Sequence, residues 1–229
     1  MSTKNFTVNQ KSITVSIRDD ADESVAAEIF KLREYRMAET IISSATLPIL
    51  DVGAHAGFFT IYARALNATV PIIAIEPEPH NLEAWVNNTK QNKVDSVTLV
   101  KGALAKERGE RELIRSQDSH NHVLKTKEKE KGSISVQAYD FKHFTKLAPQ
   151  GFSLIKMDIE GGEYEVFENL DDKDFASIRA IIMEYHDLPG KKHQIIEQIL
   201  REQGFGVQIF PSKFDKTMGF IWATNKRLK

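Results

Sequence analysis

Two groups of residues have types and spacings suited to chemistry. In the first, Ile49-Leu50-Asp51-Val52 runs into Gly53-Ala54-His55-Ala56-Gly57 and then into the helical pattern opened by Phe58-Phe59-Thr60. The bare backbone at Gly53 and Gly57 lets a ligand approach the main chain closely. A second apolar run, Ile72-Ile73-Ala74-Ile75, ends in Glu76-Pro77, 25 positions after Asp51. A carboxylate at that strand end can accept hydrogen bonds from both hydroxyls of a ribose. The second group is acidic, with Lys156, Asp158, Glu160 and Glu163 in one run and Glu184-Tyr185-His186 in another. Carboxylates and an imidazole brought together at strand ends can bind a substrate hydroxyl and take its proton.

The glycine spacing narrows the ligand. A dinucleotide site needs Gly-x-Gly-x-x-Gly, so that backbone amides and a helix N-terminus hold a pyrophosphate. Here His55 occupies the second glycine's position, which breaks the fingerprint and argues against a nicotinamide dehydrogenase. S-adenosylmethionine lacks phosphates and carries a ribose and an amino-acid tail, and its sulfonium charge suits a pocket lined by Asp51 and Glu76.

The elements that must position these residues alternate along the chain. Apolar runs predict strands at about 49–53, 71–76, 96–101, 152–158, 178–184, 206–210 and 219–224, and helical periodicity predicts helices near 57–67, 79–91, 162–169 and 190–203. Continuous apolar strands fit a parallel sheet covered on both faces, and the last two, joined by a short connection, should pair antiparallel. The expectation is an α/β, Rossmann-like, seven-stranded and mostly parallel sheet with an antiparallel C-terminal hairpin and helices on both faces. Residues 1–48 form a leader, with short β-like stretches at Phe6-Thr7-Val8 and Ser12–Ile17. A helix then follows, capped by Asp22 and continuing through Val25, Ile29, Leu32 and Arg33 toward Ile41. This leader is expected to pack over the ligand mouth or the sheet edge, with Tyr35 and Arg36 able to close over the cofactor, while residues 49–229 form one structural unit. Glu110–Ile114 and Ser133–Ala138 are expected to pair as a β-ribbon, and the region 115–132 is the expected source of acceptor specificity.

Composition limits the remaining options. The 229 residues suit one compact α/β unit with a sizeable core. With 31 basic and 32 acidic residues the net charge is −1, so no global field favours nucleic acid or an anionic membrane. The absence of cysteine excludes disulfides, thiolate metal sites and thiol nucleophiles. No signal-peptide core and no apolar run of membrane-spanning length is present, so a soluble cytoplasmic protein is expected. His120-Asn121-His122 lacks the context of a nuclease motif. Lys125–Lys131 alternates in sign and reads as a solvated loop, and Trp85 and Trp222 sit in core-like patterns.

Asp51–Thr60, then Ile75-Glu76-Pro77, then Ile155-Lys156-Met157-Asp158-Ile159-Glu160-Gly161-Gly162-Glu163, then Glu184-Tyr185-His186 occur in the order that resembles the FkbM family of S-adenosylmethionine-dependent methyltransferases. The similarity spans roughly residues 25–225, and its most distinctive piece is the Lys-x-Asp-x-Glu-Gly-x-Glu run. The resemblance implies a class I methyltransferase fold and methylation of a hydroxyl on a sugar, polyketide, glycolipid precursor or related small molecule. Asp51, Gly53, His55, Gly57, Phe58, Glu76, Pro77 and Ala103 are the candidate cofactor residues. Two departures stand out: His55 replaces the family's usual asparagine, and Val100-Lys101-Gly102-Ala103-Leu104 has no acid for the adenine amine, leaving backbone and apolar contacts to hold that ring. The candidate catalytic residues are Asp158, Glu160, Glu184, His186 and Lys156, with His186 or Asp158 as base and Lys156 tuning the carboxylates. A divalent cation on Asp158, Glu184 and His186 is a variant of this scheme, and no residue is assigned as a metal ligand. An RNA methyltransferase and a non-catalytic cofactor-binding module are the alternative readings.

Overall fold

The computed structural model describes residues 2–114, 123–125 and 132–228. The leader opens with an antiparallel hairpin, β1 (Ser2–Val8) and β2 (Lys11–Ile17), turned by Asn9 and Gln10 in left-handed conformation. Helix α1 (Asp20–Ala27) follows, then a wide π turn at Glu28–Leu32, a left-handed Arg33 and helix α2 (Glu39–Ser44). The cap of α1 is Asp19, whose carboxylate accepts from the Asp22 amide, and not Asp22 as expected. Asp22 instead lies buried in the first turn, where its carboxylate receives the Arg18 guanidinium at 2.7 and 2.8 Å. The expected continuous helix toward Ile41 is broken, because Arg33 turns the chain.

The sheet then builds by alternation of strands and helices. Strand β3 (Ile49–Val52), α3 (Phe58–Leu66), β4 (Ile72–Glu76), α4 (Pro79–Gln91) and β5 (Val97–Lys101) form one half. A smaller sheet interrupts it, made of β6 (Ala103–Leu104), β7 (Gly109–Ile114), β8 (Val123–Lys125) and β9 (Ser133–Tyr139) in spatial order β6-β9-β7-β8. The expected ribbon is its β7–β9 pair. Helix α5 (Phe141–Leu147), β10 (Leu154–Met157), α6 (Glu163–Phe167), α7 (Asp172–Ala176), β11 (Ala180–His186), α8 (His193–Glu202), β12 (Phe205–Pro211) and β13 (Met218–Asn225) complete the chain. The main sheet has the order β12-β13-β11-β10-β3-β4-β5, parallel except for β13, which runs antiparallel to both neighbours. The expected seven-stranded, mostly parallel sheet with a C-terminal antiparallel hairpin is the one observed.

Alternation along each strand divides the core between the two faces. Leu50, Val52, Ile73, Ile75, Ile155 and Met157 pack with α5 through α8. Ile49, Ile72, Leu154 and Ile182 pack with α3 and with the leader residues Ile13, Val15, Ile29, Phe30 and Ile42. The hairpin is also held to α4 by polar contacts: Ser16 donates its amide to Asn88 at 2.8 Å, and Thr14 donates to Asn92 at 3.0 Å. Trp85 is buried as expected, while Trp222 is partly buried against the leader-side core. Among the described residues, no helix is long and apolar enough to cross a membrane. His120-Asn121-His122, most of Lys125–Lys131 and most of the region 115–132 lie outside the described residues.

Candidate active site

A cleft of about 760 Å³ opens at the carboxyl ends of β3, β4, β10 and β11, where open α/β sheets bind their ligands. The turn after β3 forms its near wall. Gly53 and Ala54 both donate their amides to the Ile75 carbonyl, at 3.1 and 3.0 Å, which locks this turn to β4. Gly53 adopts φ +76°, and a Cβ there would lie 1.9 Å from the Asp158 carbonyl oxygen. Its glycine is therefore required by the close approach of the Asp158 backbone, which brings the two chemical groups of the sequence side by side.

At the end of β4, the Glu76 carboxylate accepts from the His55 amide at 2.8 Å, the Glu78 amide at 2.9 Å and Asn81 Nδ2 at 3.3 Å. Burial outweighs these donors and pushes its pKa up to about 7. Pro77, Phe58, Ala103 and the Gly102 backbone line the same end of the cleft. His55 also lines it, from a left-handed backbone (φ 49°), but its imidazole turns toward the leader, with Nε2 3.4 Å from Asp22 and 3.3 Å from Arg18. Arg18 donates to Asn81 as well, at 2.8 Å, so the leader and the Glu76 loop share one polar network. Nothing in the sequence pattern pointed to Arg18 or Asn81.

Asp51 and Gly57 do not line the cleft. On β3 the Asp51 side chain alternates with Leu50 and Val52 and so shares the Ile49 face, where Thr60 donates to it at 2.6 Å and Lys156 Nζ lies 3.7 Å away. Burial raises its pKa, against the pull of Lys156 and Thr60. Gly57 faces Trp85, which a Cβ would meet at 3.0 Å. Lys156 borders the cleft floor, where its ammonium donates to the Gly53 carbonyl at 2.8 Å and so buttresses the turn.

The far end of the cleft is acidic. Strand β11 runs two residues past its expected end, so Glu184 and His186 fall on one side and both line the cleft beside Asp158 and Glu160. Glu160 is presented from a left-handed backbone (φ 54°) just before Gly161. His186 Nε2 lies 3.5 Å from Glu160 Oε2, and Nδ1 lies 3.5 Å from Glu163 Oε1. Glu163 is fully buried at the start of α6 and also accepts the Ile159 amide at 3.1 Å. Burial followed by the Asp158 charge raises Glu160 to about 7 and Glu184 to about 9. Burial works against a charged His186, yet Glu163, Glu160 and Asp158 raise it to about 10. Tyr35, buried between Phe59 and Phe220, walls the cleft on the leader side with Ser24, Val25, Ile29 and Leu32.

Comparison with known proteins agrees with this architecture. The family model described as the methyltransferase FkbM domain matches residues 51–207. Methyltransferase 1 of Beauveria bassiana is 24% identical over 183 residues, 70% of this chain and 73% of the relative. The 31-O-demethyl-FK506 methyltransferase FkbM of Streptomyces tacrolimicus is 24% identical over 192 residues, 69% of this chain and 72% of the relative. Among solved structures, the methyltransferase FkbM of Methylobacillus flagellatus superimposes with a TM-score of 0.55 at 11% identity, covering 90% of this chain and 55% of that one.

Proposed function

The chain belongs to the FkbM family of S-adenosylmethionine-dependent methyltransferases, and from that footing we propose that it methylates a hydroxyl oxygen of a small-molecule acceptor such as a sugar, glycolipid precursor or polyketide. One observation carries this reading: a single cleft of about 760 Å³ joins Glu76 to Asp158, Glu184 and His186. That volume lies in the range of small-molecule sites. The residues present fit the cofactor. Glu76 is a buried carboxylate that its three donors leave under-compensated, with acceptor capacity for ribose hydroxyls. The Gly102–Ala103 backbone and Phe58 supply the apolar and main-chain surface for the base.

When bound, S-adenosylmethionine supplies an electrophilic methyl group for in-line displacement by oxygen. The protein's part is to hold the acceptor oxygen in line and to receive its proton, the two contributions that positioning and general-base groups make. Asp158 is the base in this reading, because His186 is already engaged by Glu163 and Glu160. His186 and Glu184 then orient the acceptor, and Lys156 keeps the Gly53 turn in place. The relatives' names support a small-molecule acceptor, since one acts on a demethylated form of FK506.

The test is a calorimetric titration with S-adenosylhomocysteine, followed by a methyl-transfer screen against sugars, polyketides and RNA. Asp158→Asn and His186→Ala should each lower turnover by roughly 10²- to 10⁴-fold while leaving cofactor affinity within a few-fold. Unchanged turnover in both variants removes the assignment. Transfer to RNA alone, or cofactor binding with no transfer at all, replaces the small-molecule reading.

A further inference from the structure

We propose that Asp158, Glu160 and His186 bind one divalent cation of the magnesium–manganese class, with Glu163 as the positioning residue behind the imidazole. One ligand atom from each of the three side chains lies within 4.8 Å of the others, and all three are partly buried in the cleft wall. This trio differs from the set expected from the sequence: Glu160 takes the place given to Glu184, because its left-handed backbone turns the carboxylate back toward His186.

Two features of the surroundings point to a cation. The first is the arrangement of the imidazole. With Nδ1 facing buried Glu163 at 3.5 Å, Nε2 faces Glu160 and the cleft, and a cation bound there takes the place of the Nε2 proton. A carboxylate behind a histidine fixes ring and tautomer in this way when the other nitrogen ligates a metal. The second is uncompensated charge. Glu163 is fully buried, and its Oε2 meets no hydrogen-bond donor among the described residues. Asp158, Glu160 and Glu163 cluster about one imidazole, while the Lys156 ammonium is committed to Gly53 and Asp51.

Two carboxylate oxygens and one imidazole nitrogen, with no thiolate anywhere in the chain, form a donor set for a hard to borderline ion. One oxygen of Asp158 is enough for that ion, which leaves the other for the acceptor's proton. The inference shares its cleft with the proposed methyl transfer but concerns cation binding alone, so the two can fail separately.

The experiment uses the full chain, stripped with chelator and titrated with MnCl₂, following the free Mn²⁺ paramagnetic resonance signal and the thermal midpoint. S-adenosylhomocysteine is titrated in parallel. One Mn²⁺ per chain is expected without cofactor present, with binding lost in Glu160→Gln and in His186→Asn. Glu163→Gln should weaken it about 10- to 100-fold, and Glu168→Gln, on the exposed face of the Lys191 pair, should leave it unchanged. No binding at millimolar Mn²⁺, or binding indifferent to both Glu160→Gln and His186→Asn, overturns the site. If S-adenosylhomocysteine binds in that case, the methyltransferase reading stands without the metal. If Mn²⁺ binds and S-adenosylhomocysteine does not, the metal site stands and the cofactor reading falls.

Discussion

At the scale of single residues, Glu76 carries the most direct pH signature. Its carboxyl titrates near 7 in the folded chain against an ordinary value of 4.5. The folded state therefore holds a proton between those values that the unfolded chain has released. The sign follows by linkage: this group favours folding at low pH, loses that contribution as pH rises from about 4.5, and has lost it fully above about 7. Ribose recognition needs the opposite form, since only the carboxylate accepts from two hydroxyls. Affinity for S-adenosylhomocysteine should accordingly weaken about tenfold per pH unit below the midpoint, and Glu76→Gln should weaken it roughly 10- to 100-fold and flatten the profile. An isothermal titration series from pH 5.5 to 8.5 measures both, and equal affinities throughout would refute the role. Glu76, Asp158, Glu184 and His186 were legible in the sequence because each sits at the end of an apolar strand, the position from which side chains reach such a cleft. The orientation of His55 was not legible. Its left-handed backbone and its turn toward Arg18 and Asp22 depend on a leader that the local sequence does not specify.

At the scale of elements, the β3 turn and the β10 end form one unit through the contact between Gly53 and Asp158. Gly53→Ala would impose about 1–2 kcal/mol for left-handed backbone alone, and its Cβ would also meet the Asp158 carbonyl at 1.9 Å. A lowered denaturation midpoint and a lowered turnover are expected together, because relief of the clash must move Asp158. A variant with wild-type turnover would show that Asp158 need not be held there. Strand and helix order was readable because the buried parallel strands are mostly apolar and α3, α4 and α8 have helical periodicity. Helices α5 and α7 were not among the expected helices, although each carries a sign. Asp140 caps α5 ahead of the buried pair Phe141 and Phe144, and Asp171 with Asp174 forms a capping box on α7. The break after α1 was unreadable, because Arg33 gives no glycine-like signal for its left-handed turn.

At the scale of the whole molecule, the leader shares a core with the sheet. Ile13, Val15, Ile29, Phe30 and Ile42 are all buried against α3 and its neighbours, and Ser24, Val25, Leu32 and Tyr35 wall the cleft. A chain reduced to residues 49–229 would expose that apolar face. It should lose cooperative thermal unfolding and cofactor binding together, as calorimetry of the truncated and full chains can show; a truncated chain that melts sharply and binds cofactor would make the leader an accessory.

The cleft's outer rim has a different character from its floor. Phe214, in the loop between β12 and β13, is wholly exposed and yet lines the opening. Substitutions at so bare a position cost the fold little, whereas changes at Gly53 or Asp158 disturb the sheet itself. Descendants of this chain are therefore free to vary in what they admit at the threshold while inheriting an unaltered interior, so diversity within such a lineage should accumulate at the doorway.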